Sequence, residues 1–417
     1  MNCPCEKLKT LMRQVQKMWF GAPKKSTRFI YLDHAAATPL DAQVEKAMQP
    51  YVQNIFGNPS SLYEQGVRAQ QAVENSRKNV AQILGALPEE IIFTSGGTES
   101  DNLAILGYAR AHAKEGKHLI TTTIEHHAVL GAMKQLEREG FEVTYLLPDQ
   151  NGFITTDQVK QTLRPDTIFI SIMYANNEIG TIEPITEIGN MLQKYKQETK
   201  KAFPVFHTDA CQATGYLDLQ VEKLHVDLLT LNGSKMYGPK GTGILYRRRG
   251  TKLQPLQFGG SQEHNLRPGT ENVPGIVGLA KALEIAESLR AKESERLCAL
   301  RDFFIKKVLT SIPHAHLNGH PILRLPNNIH ISFVGAEGEA MLLYLDHEGI
   351  AVSTGSACTS QSLDPSHVLV AIGCTHEEAH SSLRFTLGRS TTKKDLEHVL
   401  NILPKVIQKL RVLSPFV

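Results

Sequence analysis

The chain has 417 residues, a length that favours two domains over one compact core. Hydrophobic residues make up 41% and charged residues 21%, as in globular proteins, and no apolar run is long enough to span a bilayer. The net charge is +3, and residues 1–28 alone carry seven Lys or Arg against one acid. We therefore expect neither a membrane protein nor a fold defined by a basic nucleic-acid-binding surface.

The six cysteines, at positions 3, 5, 211, 298, 358 and 374, are too few and too scattered for a disulfide framework. This usage fits a reducing compartment, so we expect a cytoplasmic protein. The basic extension of residues 1–28 is interpreted as an additional helix or arm, with an organellar targeting segment as the alternative. Cys3 and Cys5 in it are compatible with a redox pair or metal ligands, but no second Cys or His cluster lies nearby, and we predict no metal site.

Short apolar runs alternate with amphipathic stretches between residues 91 and 248. Strands rich in Ile, Val, Thr or Phe are predicted at 91–95, 118–123, 143–147, 167–175, 205–209, 228–231 and 243–246. Helices are predicted between many of them, for example at 102–113, 128–139 and 187–199. This alternation predicts an α/β domain with a largely parallel sheet between helices, and functional groups in loops that follow the carboxyl ends of strands.

A different pattern begins after about Gly275. A long helix is predicted from residue 276 to about 311, followed by strands at 328–333 and 382–387 and helices at 338–348 and 393–410. The last helix is expected to kink or divide at Pro404. The sequence therefore predicts a large domain at 38–290 and a smaller α+β domain formed by 29–37 and 291–417.

The segment FTSGGTES, residues 93–100, runs from a predicted strand through two glycines into a predicted helix. Free backbone N–H groups at the helix start, near Gly97, and the Thr98 hydroxyl suit a phosphate. Taken alone, the segment is a weak signal and is better explained as a turn with an N-cap. Whether this segment is a phosphate site depends on which residues follow it along the chain.

Asp209 ends an apolar strand, and Lys235 lies about 26 residues later in a glycine-rich loop, NGSKMYGPKG. Opposite charges about 4 Å apart gain about 4 kcal/mol at an effective dielectric near 20, or roughly three pKa units. An aspartate can therefore keep a pyridine nitrogen protonated, and a lysine amine can bind an aldehyde covalently. The order of phosphate turn, aspartate and lysine predicts pyridoxal 5'-phosphate (PLP) as cofactor.

Residues 31–415 resemble the group I cysteine desulfurases, the iron–sulfur and nitrogenase type within the class V aminotransferase family of fold-type-I PLP enzymes. The shared motifs are GNPSS at 57–61, TSGGTES at 94–100, EH at 125–126, NNEIG at 176–180, HTD at 207–209, YGPKG at 237–241, RPGT at 267–270 and SLRF at 382–385. The resemblance implies PLP fold type I with a seven-stranded sheet. It also implies sulfur removal from L-cysteine, release of L-alanine, and supply of sulfur for iron–sulfur clusters, other cofactors or tRNA.

The resemblance also implies roles for matching residues. Arg384 and Asn177 would bind the substrate, with Arg384 holding its carboxylate in two parallel hydrogen bonds. His126 would stack on the pyridine ring and move protons, and Thr270 would reach the phosphate of a neighbouring subunit, which implies a homodimer. The predicted cofactor-binding residues are Gly97, Thr98, His126, Asn177, Asp209, Gln212, Asn232, Ser234, Lys235 and Thr270.

Cys358 lies in the small, polar segment STGSACTS, residues 353–360, which lacks the apolar frame of a buried cysteine. Only a thiolate attacks, and a nearby base such as His126 would raise the small ionised fraction at pH 7. The resemblance implies that Cys358 takes the substrate sulfur as a persulfide and passes it to an acceptor protein. Cys358, Lys235 and His126 are the predicted catalytic residues.

The chain departs from the family pattern in two places near the cofactor. Residues 232–234 are Asn-Gly-Ser where the family usually has Ser-Gly-His, and Cys211 stands beside Asp209 in place of a small residue. Cys211 is either a tolerated packing change or a second oxidisable thiol. Three alternative functions stay open: a selenocysteine lyase, a transaminase, which would not need Cys358, and a non-catalytic sulfur-relay protein.

Overall fold

A computed structural model of the chain describes residues 29–355 and 364–413, so the predictions made for residues 1–28 and for Cys358 lie outside the described residues. The described strands are β1 (Ile30–Tyr31), β2 (Ile91–Thr94), β3 (His118–Thr122), β4 (Glu142–Leu146), β5 (Thr167–Ser171), β6 (Val205–Asp209), β7 (Leu228–Asn232), β8 (Gly243–Arg247), β9 (Ala315–Leu317), β10 (Asn328–Phe333), β11 (Ile350–Ala351) and β12 (Ser382–Thr386).

The described helices are α1 (Ala42–Gln53), α2 (Glu64–Leu84), α3 (Gly97–Ala111), α4 (His127–Arg138), α5 (Thr156–Thr162), α6 (Ile185–Thr199), α7 (Val221–Leu224), α8 (Gln262–Asn265), α9 (Val273–Ser311), α10 (Gly338–His347), α11 (His367–Ala371), α12 (His376–His380) and α13 (Lys393–Leu413). Residues Pro88–Glu90 and Gly233–Lys235 form 3₁₀ turns. No helix in these two ranges has both the length and the apolar character needed to cross a membrane.

The central sheet has seven strands in the order β2-β8-β7-β6-β5-β3-β4. β8 is antiparallel to both neighbours, and the other pairs are parallel. Successive residues of a strand point to opposite faces, so Phe169 and Ile170 of β5 enter different hydrophobic clusters. Helices cover both faces, which explains why β5 and β6 are buried along their whole length.

The smaller part of the fold has two sheets and its own hydrophobic core. β12, β10 and β9 form an antiparallel sheet, and β1 pairs parallel with β11. Ile30 and Leu32 share this core with Phe304 and Val308 from the second half of α9. The first half of α9 packs against α1 and α2, so this helix of 39 residues connects the two cores.

The architecture confirms the predicted α/β fold class with its smaller α+β part. All seven predicted strands of the central sheet are present, although the one predicted at 167–175 ends at Ser171. The regular pairing stops there, although the Ile172 and Tyr174 N–H groups still donate to the His207 and Asp209 carbonyl oxygens of β6, and Ala175 then forms a bridge with Ile182. Pro404 does not divide the last helix, which is continuous from Lys393 to Leu413. The division into a large domain at 38–290 and a small domain at 29–37 and 291–417 stays a prediction.

Candidate active site

A cavity of about 210 Å³ lies at the carboxyl ends of the parallel strands. The loops after β2, β3, β5, β6 and β7 contribute to it, as expected for an α/β sheet, and β12 of the small sheet adds Arg384. The lining residues are Ala35, Ala36, Gly97, Thr98, Asp101, His126, Met173, Ala175, Asn177, Asp209, Cys211, Gln212, Asn232, Lys235 and Arg384.

The amino-terminal end of α3 faces the cavity through Gly97 and Thr98. The first N–H groups of a helix have no partner within it and therefore suit an anion. Glu99 stabilises the turn before the helix, since its Oε2 accepts a hydrogen bond of 2.7 Å from the Ser95 N–H. A Cβ at position 97 would lie 2.9 Å from Cys211 Sγ, so a larger residue there would displace the thiol.

Asp209 and Asp101 bring two carboxyl groups to one wall of the cavity. Asp209 ends β6, and its Oδ1 accepts a hydrogen bond of 2.9 Å from the Cys211 N–H. Asp101 is completely buried; the burial, and then the charge of Asp209, raise the pKa of Asp101 well above its usual range. These surroundings therefore favour the protonated, neutral form of Asp101.

Asp101 was not among the site residues predicted from the sequence. It lies four residues after Gly97 on α3 and so shares the helix face that turns toward the cavity. An acidic residue on that face is the signal that would have identified it. His207 on β6 lies next to it, with 3.7 Å between His207 Nε2 and Asp101 Oδ1, and burial lowers the pKa of His207 to about 4.

Lys235 ends the 3₁₀ turn that follows β7. Asn232 shapes this turn, since its Oδ1 accepts hydrogen bonds of 3.1 Å from both the N–H and the hydroxyl of Ser234. The Lys235 Nζ donates to the carbonyl oxygens of Ala35 at 2.8 Å and Ala36 at 2.6 Å. These contacts hold the amine at the cavity wall.

His126 is the N-cap of α4 and lines the cavity. Its Nδ1 accepts a hydrogen bond of 3.1 Å from the Ala128 N–H, so the proton of the neutral ring lies on Nε2. The preceding residue, Glu125, is fully buried, and its Oε1 accepts hydrogen bonds from the Met173 N–H at 2.8 Å and the Thr122 hydroxyl at 3.1 Å. Burial raises the pKa of Glu125 to about 8.

Arg384 is almost completely buried on β12. Its Nη2 donates to Asp33 Oδ1 at 2.8 Å and its Nη1 donates to the Asn177 carbonyl oxygen at 2.9 Å. Among the described residues no group accepts a hydrogen bond from its Nε. The guanidinium group is therefore held by two contacts and keeps donor capacity for a further anion.

The structure brings nine of the predicted site residues to this cavity: Gly97, Thr98, His126, Asn177, Asp209, Gln212, Asn232, Lys235 and Arg384. Ser234 is not part of the described lining, and its hydroxyl donates to Asn232 instead. Thr270 is exposed and lies outside the lining as well. The roles assigned to all these residues, and to Cys358, stay predictions.

The donor set of the cavity fits PLP. The helix start at Gly97 and Thr98 suits its phosphate, the Asp209 carboxyl suits its pyridine nitrogen, and the Lys235 amine suits its aldehyde. Within residues 29–355 and 364–413 no group of three or more His, Cys, Asp or Glu side chains is placed to hold a metal ion.

Comparison with known proteins identifies one family. The family model described as aminotransferase class-V matches residues 30–399. The chain is 53% identical over 389 residues to cysteine desulfurase IscS of Dictyoglomus turgidum, covering 93% of this chain and 97% of that protein. It is 52% identical over 386 residues to cysteine desulfurase IscS of Methanosarcina thermophila, covering 93% and 94% of the two chains.

Solved structures give the same result. A NifS-like protein superposes with a TM-score of 0.84 at 34% identity and covers 92% of this chain and 100% of its own. The structure described as SspA in complex with cysteine has a TM-score of 0.74 at 38% identity and covers 86% and 98% of the two chains. These similarities, together with the PLP-compatible donor set, show that the chain belongs to the PLP-dependent class-V aminotransferase family and, within it, to the cysteine desulfurases.

Proposed function

We propose that this protein removes sulfur from L-cysteine in a PLP-dependent reaction, releases L-alanine and carries the sulfur as a persulfide on Cys358. The observation that carries the proposal is the convergence of Lys235, Asp209 and Arg384 on one cavity. The similarity to SspA, whose structure contains cysteine, supports L-cysteine as the substrate.

Arg384 provides the site for the substrate carboxylate. Asp33 and the Asn177 carbonyl orient its guanidinium group, and no group in the described part of the chain takes its Nε–H. A carboxylate that accepts two parallel hydrogen bonds from this group is held in one orientation, which a lysine could not impose. The amino acid is then presented with its amine and side chain toward Lys235 and His126.

Bound PLP supplies an aldehyde that captures amino groups and a ring that accepts electrons. Gly97 and Thr98 would hold its phosphate, Lys235 would bind it covalently, and Asp209 would keep its ring nitrogen protonated. Lys235 Nζ and His126 Nε2 both lie at the cavity, so they are the groups that take and return protons at the substrate.

The sulfur transfer balances without an outside oxidant. The Cys358 thiolate attacks the sulfur of the bound cysteine, an S–S bond forms, and the C–S bond breaks. The electron pair of the broken bond stays with the carbon fragment, which takes a proton and leaves as L-alanine. The two sulfurs together lose two electrons as they reach the persulfide level, and the carbon of the substrate gains them.

We further propose that the protein acts in the cytoplasm with a second copy of itself and a sulfur-acceptor protein. A second copy of the chain would form a homodimer in which Thr270 reaches the other subunit's phosphate site, and its exposure away from its own cavity supports this. A sulfur-acceptor protein, an iron–sulfur scaffold or another carrier, would take the persulfide sulfur. The cysteine content supports a cytoplasmic location.

The test is to incubate the purified holoenzyme with L-cysteine and a thiol reductant and to quantify sulfide and alanine together. We expect equal amounts of both, lost in Cys358→Ser while the PLP absorbance is retained. Cys298→Ser is the matched control and keeps full turnover. Cysteine turnover in Cys358→Ser would contradict the role of Cys358, and a PLP absorbance without alanine would move the function to another amino-acid reaction.

A further inference from the structure

Glu178 is bonded to one end of the chain segment that contains Cys358 and lies close to the other end. Its Oε2 accepts a hydrogen bond of 2.5 Å from the Ser366 hydroxyl, on the carboxyl-terminal side of that segment. The same oxygen packs against Gly355 on the amino-terminal side, where a Cβ would lie only 3.2 Å from it. Gly355 and Ser366 therefore meet at one buried carboxyl group.

The backbone that carries Glu178 is fixed on both sides. Asn176 Oδ1 accepts hydrogen bonds from the Glu178 N–H at 2.9 Å and the Ile179 N–H at 3.0 Å. Asn328 Nδ2 donates to the Glu178 carbonyl oxygen at 3.1 Å. Because these partners are themselves buried, the Glu178 side chain projects from a rigid turn.

The same turn also fixes the predicted substrate-binding residue. The carbonyl oxygen of Asn177 accepts from Arg384 Nη1, and Arg384 pairs through its backbone with Ser353, two residues before Gly355. The Arg384 N–H donates to the Ser353 carbonyl at 2.7 Å, and the Ser353 N–H donates back at 3.2 Å. One turn thus determines the position of the substrate carboxylate site and of the chain that leads toward Cys358.

The residues that follow the Cys358 segment make a second contact, close to His126. Ser366 is the N-cap of α11, and the ring Nε2 of the next residue, His367, lies 3.0 Å from the Glu125 carbonyl oxygen. The start of α11 is therefore held between Glu178 and the loop that carries His126.

We propose that Glu178 is a positioning residue for sulfur transfer. By bonding Ser366 and lying close beside Gly355 it sets the two points between which the Cys358 segment runs, and so the approach of the thiol to the substrate sulfur. The inference rests on the proposed function of Cys358. Glu178 is absent from the described lining of the cavity, so it acts through the segment rather than on substrate or cofactor.

The experiment compares two steps in the holoenzyme. Adding L-cysteine changes the PLP absorbance, which reports substrate binding, and mass spectrometry of the quenched, alkylated protein reports the rate of persulfide formation on Cys358. In Ser366→Ala and Glu178→Ala, which each remove the hydrogen bond between these residues, we expect unchanged substrate binding and persulfide formation slowed about ten- to hundredfold, the size expected for a displacement of about 1 Å. Ser366→Thr, which keeps the hydroxyl, restores the rate.

Thr375→Ala is the matched control, because Thr375 is the N-cap of α12, another five-residue helix of the small domain, and bonds to Glu378 rather than to Glu178. We expect it to form persulfide at the wild-type rate. A wild-type rate in Ser366→Ala, an equal loss in Thr375→Ala, or a parallel loss of cysteine binding would each overturn the inference. If the proposed function itself were wrong, the wild-type protein would form no persulfide, which distinguishes that outcome from a failure of the inference about Glu178.

Discussion

Arg384 and Asp33 form an ion pair at the edge of the cavity, with 2.8 Å between Nη2 and Oδ1. Only 2% of the Arg384 side chain is exposed, so the pair carries a desolvation cost that it offsets through its geometry. Asp33 is followed by Ala35 and Ala36, whose carbonyl oxygens hold Lys235 Nζ. The chain that leaves β1 therefore orients both the Arg384 guanidinium group and the Lys235 amine.

We expect Arg384→Lys to raise the KM for L-cysteine about ten- to hundredfold. Lysine keeps the charge but loses the parallel pair of hydrogen bonds, and a hydrogen bond to a charged group contributes about 1.5–3 kcal/mol. Steady-state alanine release measures the change. Arg389→Lys is the control, because Arg389 pairs with Asp41 outside the cavity lining. An unchanged KM in Arg384→Lys would place the carboxylate elsewhere.

We expect Asp209→Asn to lower kcat about a hundredfold or more while PLP stays bound. Asparagine still accepts the Cys211 N–H at Oδ1, so the loop keeps its shape, but the charge that keeps the ring nitrogen protonated is lost. Single-turnover absorbance with L-cysteine measures the effect.

Asp101→Asn is the comparison for Asp209. Burial raises the pKa of Asp101 well above its usual range and so favours its neutral form, which asparagine imitates. We expect a smaller loss of kcat than in Asp209→Asn. Equal losses of kcat in the two variants would show that the negative charge at this wall of the cavity does not lie on Asp209 alone.

The sequence predicted the central sheet well because its strands are short apolar runs buried on both faces. Phe206 and Ile170 are typical of this pattern, which needs no knowledge of distant residues. α2 was not predicted, although it has 21 residues. Its buried face is rich in small residues such as Ala69, Ala72 and Ser76, which give a weak hydrophobic signal.

The motifs predicted most of the cavity lining but not the contacts that support it. Glu178 and Ser366 are 188 positions apart, and Asp33 and Arg384 are 351 positions apart. Spacing along the chain carries no signal for such pairs, because only the packing of the small sheet against the large one brings them together. Asp101 is different: it lies one helical turn from Gly97, but the sequence predicted this helix to begin at residue 102, whereas it begins at Gly97.

We expect Cys211 to resist alkylation in the folded holoenzyme. Burial, followed by the charges of Asp209 and Asp101, raises the pKa of this thiol well above its usual range, and its Sγ fills the space beside Gly97. Peptide mass spectrometry after iodoacetamide treatment at pH 8 should show labelling at least about tenfold slower than at the half-buried Cys298. Faster labelling of Cys211 would favour the alternative that it is a second reactive thiol.

We expect Glu125→Gln to change how stability depends on pH. In the unfolded chain this carboxyl ionises near its usual pKa of 4.5, whereas burial raises the pKa to about 8 in the folded protein. The folded state therefore binds more protons between these values, and its stability falls as the pH rises from about 5 to about 8. Glutamine keeps the oxygen that accepts from Met173 and Thr122 but does not titrate.

Calorimetric melting of the wild type and Glu125→Gln at pH 5, 6, 7 and 8 measures this effect. The variant should gain stability relative to the wild type with each step, by at most about 1.4 kcal/mol for each step of one pH unit. Glu139→Gln is the control: hydrogen bonding to Arg110 lowers the pKa of Glu139 to about 2, so its contribution is lost only below about pH 4.5. The difference in stability between Glu139→Gln and the wild type should stay constant from pH 5 to pH 8. A flat or falling difference for Glu125→Gln would mean that Glu125 is ionised in the folded protein.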